Sequence, residues 1–410
     1  MSNSKFRLLC LSNGHGEDVI AVRILQELRQ ISSDINISAL PIVGEGRAYL
    51  SAGIPLISPV QAMPSGGFIY MDGRQLVRDL QGGLLQLTWT QIKALRTWVK
   101  GGGIVLAVGD IVPLLFAWWS GANYAFVGTA KSEYYVRDEE GNLRQGDRIA
   151  SFLGLNSSIY LPWDRALMSN PRCQSVFPRD KLTAKMLQKW SIPVFDLGNP
   201  MMDGLSSVQP LQISSLAALT IVLLPGSRVP EAYTNWQQIL VAIFSLIETY
   251  SDRSLLFLGA ISAQVNLEPL AQMLTSAGFC SSDNKSFSYK NVSIVLTQTA
   301  YNECLEKGEI AIAMAGTATE QFVGLGKPAI AFPGNGPQFT CTFAEAQSRH
   351  LGSSIILLAH PNQTGEAVKS LLGDSDHLAK IAKNGYKRMG KPGAARRIAE
   401  RLIEQFEQSN

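Results

Sequence analysis

"LCLSNGHGEDVIAVRILQEL" (residues 9–28) decides the fold. An apolar run breaks into Gly14-His15-Gly16-Glu17-Asp18 and then resumes with Ile20, Ile24, Leu25, Leu28 and Ile31 at helical spacing. A nearly all-apolar strand that enters a helix through a glycine turn is what a parallel sheet buried on both faces requires. Phe6 to Leu11 supplies that strand and "INISALPIV" (35–43) the next, so the chain opens with a strand-helix-strand unit.

Outward from this unit, residues 44–87 are glycine-dotted and less regular. "GIVLAV" (103–108), "YAFVG" (124–128), "SIYLP" (158–162), "QSVF" (174–177) and "PVFDLG" (193–198) predict further strands. "LSSVQPLQISSL" (205–216) has no period and is rich in Ser, which predicts a linker over 206–216. The pattern restarts at "TIVLLPGSR" (220–228), followed by a helix carrying Trp236, Ile239, Leu240, Ile243 and Ile247. Strands are predicted at 254–259, 292–297, 309–314, 328–333 and 353–358. The fold class is therefore α/β: two doubly wound, Rossmann-like domains, 1–205 and 217–390, facing across a cleft. The amphipathic helix within 391–410 has no strand after it and is expected to pack back on the first domain.

Composition narrows the function. With 410 residues, 46% apolar and 17% charged, the chain has ample material for two cores and is not disordered. A net charge of +3 gives no reason to expect a nucleic-acid partner. Five scattered cysteines without a CxxC pair suggest neither a disulfide framework nor a zinc site, and a reducing compartment fits best. The start, MSNSKFRLL, shows no signal-peptide pattern, and "IVLAVGDIVPLLFAWW" (104–119) is interrupted by Asp110 and Pro113. The expectation is a cytoplasmic protein, soluble or lying on the inner face of the membrane.

In open parallel sheets, ligands bind beyond the carboxyl ends of the strands, where helix N-termini offer free N–H groups. Four such junctions stand out. In "LLPGSRVPEAY" (223–233), Ser227 and Arg228 follow a tight turn; a hydroxyl beside a guanidinium suits a phosphate, and the same residues serve equally as a helix cap with a solvated arginine. In "AIAMAGTATEQFVGLGKPAIAFP" (311–333), Thr317, Thr319 and Glu320 read either as caps or as a nucleotide site. In the second reading Glu320 accepts both ribose hydroxyls, and the amides from Gly316 to Thr319 face phosphate. In "AVGDIVP" (107–113), Asp110 is either a turn aspartate or a general base whose pKa burial raises.

The fourth junction is the opening loop. Gly14 and Gly16 permit a tight turn and close ligand approach, and His15 titrates near neutrality. Val19 stands where a dinucleotide fingerprint needs glycine or alanine, and no GK[ST] follows, so Asn13, Gly14, Gly16 and Asp18 are assigned to an acceptor or sugar. Trp89, Trp98, Trp118 and Trp119 read as packed residues or a membrane belt. "QIKALRTWVK" (91–100), with Ile92, Leu95 and Val99 beside Lys93, Arg96 and Lys100, reads as a surface helix or an interfacial one.

Together the two similar halves, the linker and the loops of the second half resemble a GT-B glycosyltransferase. More narrowly, "GHGED" (14–18), "VGD" (108–110), "LGNPMMD" (197–203), "LLPGSR" (223–228) and "AGTATEQ" (315–321) resemble, in order, the lipid A disaccharide synthase family, and most of all a subgroup described as related to that synthase. The resemblance implies an inverting, metal-independent glycosyltransferase with no cofactor, a UDP-linked acylated glucosamine or related donor, and a lipid or acylated-sugar acceptor. It implies that Ser227, Arg228, Gly316, Thr317, Thr319 and Glu320 hold the UDP moiety and that Asp110 is catalytic. Asp18 falls where the family's first loop also ends in Asp. His15 stands where the family has small residues, Gly198-Asn199-Pro200 replaces its GHP, and the region from 60 to 100 does not match its acyl-binding segment. Asp110 or His15 is then expected to deprotonate the acceptor. A nucleotide-sugar 2-epimerase of the same architecture and a non-catalytic nucleotide-sugar-binding protein are the alternatives.

Overall fold

A computed structural model describes residues 6–60, 84–144, 158–206, 219–283, 285–334, 336 and 339–408. The chain divides into two compact units: Met1–Asp203 with Lys391–Asn410, and Gly204–Gly390. The linker predicted over 206–216 lies, beyond Ser206, outside the described residues.

The first unit is built on five parallel strands, β1 (Arg7–Ser12), β2 (Asn36–Pro41), β3 (Ile104–Gly109), β4 (Tyr124–Gly128) and β5 (Cys173–Pro178), in the order β2-β1-β3-β4-β5. Their apolar runs are buried on both faces, which is why they carry little alternation. Leu9, Leu11, Val105, Ala107, Phe126 and Val176 meet in one core. Each buried Leu, Val or Phe among them contributes roughly 1.5–3 kcal/mol. Helix Ala394–Gln408 packs on helix His15–Ile31, burying Ile398, Ala399 and Leu402. Asp203 caps its start, accepting from the amides of Gly393, Ala394 (3.2 Å) and Ala395 (2.6 Å).

Two predicted strands of this unit are corrected. "SIYLP" (158–162) is not a strand: the Ile159 amide donates to Glu133 Oε1 (3.1 Å) and the Leu161 amide to Asp164 Oδ2 (2.8 Å), so carboxylates take the donors that a ladder needs. Pro162 then opens helix Pro162–Met168, where its missing N–H costs nothing. "PVFDLG" (193–198) keeps one bridge, Val176 to Val194, between Pro193, which has no donor, and Pro200, which starts a short 3-10 turn.

The second unit carries β6 (Leu219–Leu224), β7 (Leu255–Ala260), β8 (Cys280–Ser281), β9 (Ser286–Tyr289), β10 (Val292–Thr297), β11 (Ile310–Ala313), β12 (Ala329–Ala331) and β13 (Ile355–Leu357). Their order is β13-β12-β11-β6-β7-β10-β9-β8. The six strands from β13 to β10 are parallel, whereas β8 and β9 form an antiparallel edge that the sequence reading omits. Helix Glu231–Thr249 buries Trp236, Ile239, Ile243 and Ile247.

Candidate functional site

In the second unit β6 and β11 are parallel neighbours, with Leu223 opposite Ile312 and Leu224 opposite Ala313. Their shared register brings the turns after them, 225–230 and 314–316, side by side. Asn235, 1% exposed, ties the two together by donating Nδ2 to the carbonyls of Pro225 (3.0 Å) and Met314 (3.3 Å). Gly226 has φ +96°, and a Cβ there would stand 3.1 Å from the Met314 oxygen, so the close turn requires glycine. From helix Cys341–Leu351, Gln347 donates Nε2 to the carbonyls of Ala315 (3.0 Å) and Gly316 (3.3 Å).

These amide clamps fix the backbone that precedes helix Thr317–Gly324. The Glu320 amide reaches back to Gly316 (3.2 Å), so the amides of Thr317, Ala318 and Thr319 stand at the free, positive end of the helix. Ser227 is exposed and Arg228 half-buried. Desolvation pulls the Arg228 pKa down while Glu231 opposes it, so a bound anion would favour the charged guanidinium. Glu231 accepts from the Phe339 amide (2.6 Å), joining the segment after β12 to the same edge. Ser227, Arg228, Gly316, Thr317 and Glu320 thus come to adjacent strand ends. The Thr319 side chain does not: it is wholly buried and its hydroxyl donates to the Ala315 carbonyl (2.5 Å), so only its backbone amide, the group expected to face phosphate, is left for a ligand.

In the first unit β1 pairs with β3, Ser12 opposite Val108, so the opening loop and Asp110 share one edge. Asn13 Nδ2 lies 3.4 Å from Asp110 Oδ1. Asp110 caps helix Ile111–Ser120 by accepting from the Val112 amide (2.8 Å). Burial raises its pKa, and the Val112 amide and the charge of Lys131 hold it down. The residue that the sequence reading missed is Glu17. It sits in the first turn of helix His15–Ile31, with Oε1 3.5 Å from Thr129 Oγ1 at the end of β4. Gly109, at φ +138°, ends β3 beside it in a backbone conformation that favours glycine, and a Cβ there would stand 3.1 Å from Pro113 Cγ. Desolvation first, then the charges of Asp110 and Asp18, push Glu17 up to about 8.

Asp18 is turned inward. It is 1% exposed and accepts from Ser12 Oγ (2.6 Å), whose oxygen lies 2.6 Å from the Tyr49 hydroxyl; burial raises it to about 6. Its assignment to a ligand-facing loop is corrected to one of holding that loop's helix. Gly14 precedes the helix, accepting from the Asp18 amide (2.8 Å), and Gly16 is exposed. His15 is the first helical residue, and its side chain lies outside the described residues.

The amphipathic pattern of "QIKALRTWVK" faces the core. Leu95 is fully buried, and Ile92, Trp98 and Val99 pack on the core cluster of the first unit, so this apolar stripe is not available to a membrane. Other tryptophans are exposed: Trp89, Trp118, Trp119 and Trp163. A groove of about 530 Å³ between helices Ile111–Ser120 and Pro162–Met168 is lined by Ile111, Leu115, Trp118, Trp163, Ala166 and Leu167, with Asn170 as its one polar residue, and it begins at the residue after Asp110. Among the described residues, no helix is long and apolar enough to cross a membrane. Among them also, no group of three His, Cys, Asp or Glu side chains is arranged to hold a metal ion.

No protein-family model and no curated protein matches the chain. Solved structures do. UDP-GlcNAc 2-epimerase from Neisseria meningitidis, bound to UDP-GlcNAc, is similar with a TM-score of 0.57 and 17% identity over 97% of this chain and 100% of that one. MurG from Acinetobacter baumannii is similar with a TM-score of 0.55 and 13% identity over 97% and 99%. CalG4, the calicheamicin glycosyltransferase, is similar with a TM-score of 0.58 and 14% identity over 98% and 99%. With two Rossmann-like sheets in one chain, these likenesses establish the two-domain GT-B fold.

Proposed function

We propose that this protein is an inverting glycosyltransferase that uses a UDP-linked sugar, with a lipid or acylated sugar as acceptor. The observation that carries the reading is the pair of turns clamped by Asn235 and Gln347, which sets the amides of helix Thr317–Gly324 beside Arg228 and Glu320. The likeness to a structure with UDP-GlcNAc bound and to a glycosyltransferase supports it. In the mechanism, the acceptor oxygen forms a bond to the anomeric carbon as the bond from that carbon to the diphosphate breaks. Arg228 and the helix amides stabilise the departing charge. Asp110 accepts the acceptor's hydroxyl proton, and Glu17, protonated near neutrality, bears on the charge of Asp110. The apolar groove that begins beside Asp110 supports an acyl chain on the acceptor and with it contact with a membrane surface. The ordered motifs shared with lipid A disaccharide synthases point the same way.

A second reading is favoured by the 2-epimerase likeness and by two adjacent carboxyl groups able to move a proton on and off carbon: a nucleotide-sugar 2-epimerase. Donor alone separates the two, since an epimerase turns it over without an acceptor. The test of the shared part is a thermal-shift panel of UDP, GDP, ADP and their sugar conjugates. A UDP-selective rise in Tm that is lost in Glu320→Ala is expected; no shift with any nucleotide overturns the proposal.

A further inference from the structure

One helix, Cys341–Leu351, reaches both parts of the turn at Gly316. Gln347 holds the carbonyls of Ala315 and Gly316, and three residues later, on the same face, wholly buried His350 places Nε2 3.7 Å from Glu320 Oε1. The end of that helix is itself fixed. Arg388, 2% exposed, donates to the carbonyls of Arg349 (2.8 Å) and His350, and its Nε donates to Asn384 Oδ1 (2.8 Å). A guanidinium on the last carbonyls of a helix satisfies orphan acceptors and the negative end of the dipole. Gly352, at φ +59°, provides the room, because a Cβ there would come within 2.5 Å of the Arg388 guanidinium. The backbone that carries the buried imidazole is therefore fixed.

A glutamate that receives two hydroxyls must give up rotamer freedom, and a fixed cationic or donor group beside it lessens that loss in advance. At 3.7 Å the imidazole nitrogen lies beyond hydrogen-bond length, so as a neighbouring polar group it biases where the carboxylate points without itself occupying a lone pair. We propose that His350 is a positioning residue that aims the Glu320 carboxylate at the ribose of a bound nucleotide. This rests on the nucleotide reading of the turn given above.

The test is calorimetric binding of UDP, 2′,3′-dideoxy-UDP and inorganic pyrophosphate to the full chain and to His350→Gln, His350→Asn and Glu320→Gln. Gln carries an amide nitrogen at the reach of Nε2, and Asn carries one only at the reach of Nδ1. The wild type is expected to prefer UDP over the dideoxy compound by about tenfold or more, the worth of hydrogen bonds to a charged group. His350→Gln keeps that preference and His350→Asn loses most of it, with pyrophosphate affinity unchanged in both. If both variants keep the preference, or both lose it, the positioning role is overturned. If the wild type shows no preference, or Glu320→Gln keeps it, the ribose reading itself falls and His350 has nothing to aim. Should either variant fail to fold, the wild type answers: with four histidines in the chain, the His350 imidazole ¹⁵N resonances can be followed directly. They are expected to move on adding UDP and to hold still on adding the dideoxy compound; equal movement with both overturns the proposal.

Discussion

The carboxyl edges of the two sheets are made of different chemistry. In the first unit, Glu17, Asp18 and Asp110 crowd among Ser12, Asn13 and Thr129, and each of the three acids is pushed upward by burial. In the second unit, neutral amides of Asn235 and Gln347 grip backbone carbonyls, and the groups left facing outward are Ser227, Arg228 and helix amides. Crowded, desolvated acids hold and release protons in the working pH range. Fixed amides and a desolvated cation hold an anion and titrate nothing near neutrality. On the proposed function, the same sheet architecture separates proton handling from anion holding by the residue types at its turns.

The largest effect that would break this comparison comes from the first edge. Asp110→Asn is expected to lower turnover by roughly 100-fold or more while UDP affinity stays at the wild-type value. Steady-state kinetics with calorimetry checks this, and a parallel loss of UDP affinity would erase the division. A smaller effect comes from the second edge. Arg228→Ala is expected to weaken UDP binding by about tenfold, as for a lost hydrogen bond to a charged group, and to leave the pH dependence of turnover where the wild type has it. A shifted pH profile in this variant would place Arg228 with the acids instead.

The smallest effect sharpens the comparison through stability. Glu17 titrates at about 8 in the folded protein against an ordinary 4.5, so the folded state binds its proton more tightly. Its contribution to stability is then full below 4.5 and is lost as pH rises through about 8; Asp18, raised from 3.8 to about 6, acts in the same sense. Urea midpoints at pH 5 and pH 8 should fall with pH in the wild type and fall less in Glu17→Gln. Equal slopes would show that the first edge does not crowd its acids.

Most of the parallel strands are legible in the sequence because burial on both faces leaves a continuous apolar run, as in Ile104–Gly109 and Leu219–Leu224. "SIYLP" is as apolar as several true strands, and what excludes it is a buried carboxylate, Glu133, twenty-five residues upstream. The antiparallel strand Ser286–Tyr289 is short and half polar, and its pairing is set by the turn before Val292 rather than by hydrophobicity. At the candidate sites, strand-end glycines, Asp110 and Arg228 are visible because turn chemistry is local. Glu17 is hidden, since its nearness to Asp110 follows from β1 lying beside β3, and a strand order leaves no periodic signal. Recognising the 2-1-3 order in the first five strands is the signal that would have found it. Gln347 and His350 are hidden for a related reason: they reach Gly316 and Glu320 from a helix that starts beyond the next strand.

The first unit is written in two pieces of chain, Met1–Asp203 and Lys391–Asn410, whereas the second is one continuous stretch. During synthesis from the N-terminus, every residue of the second unit leaves the ribosome before helix Ala394–Gln408 exists to cover helix His15–Ile31. What is made first is therefore finished last. A premature stop a few residues before Ala394 would spare the unit it follows and expose the opening helix nearly four hundred residues away.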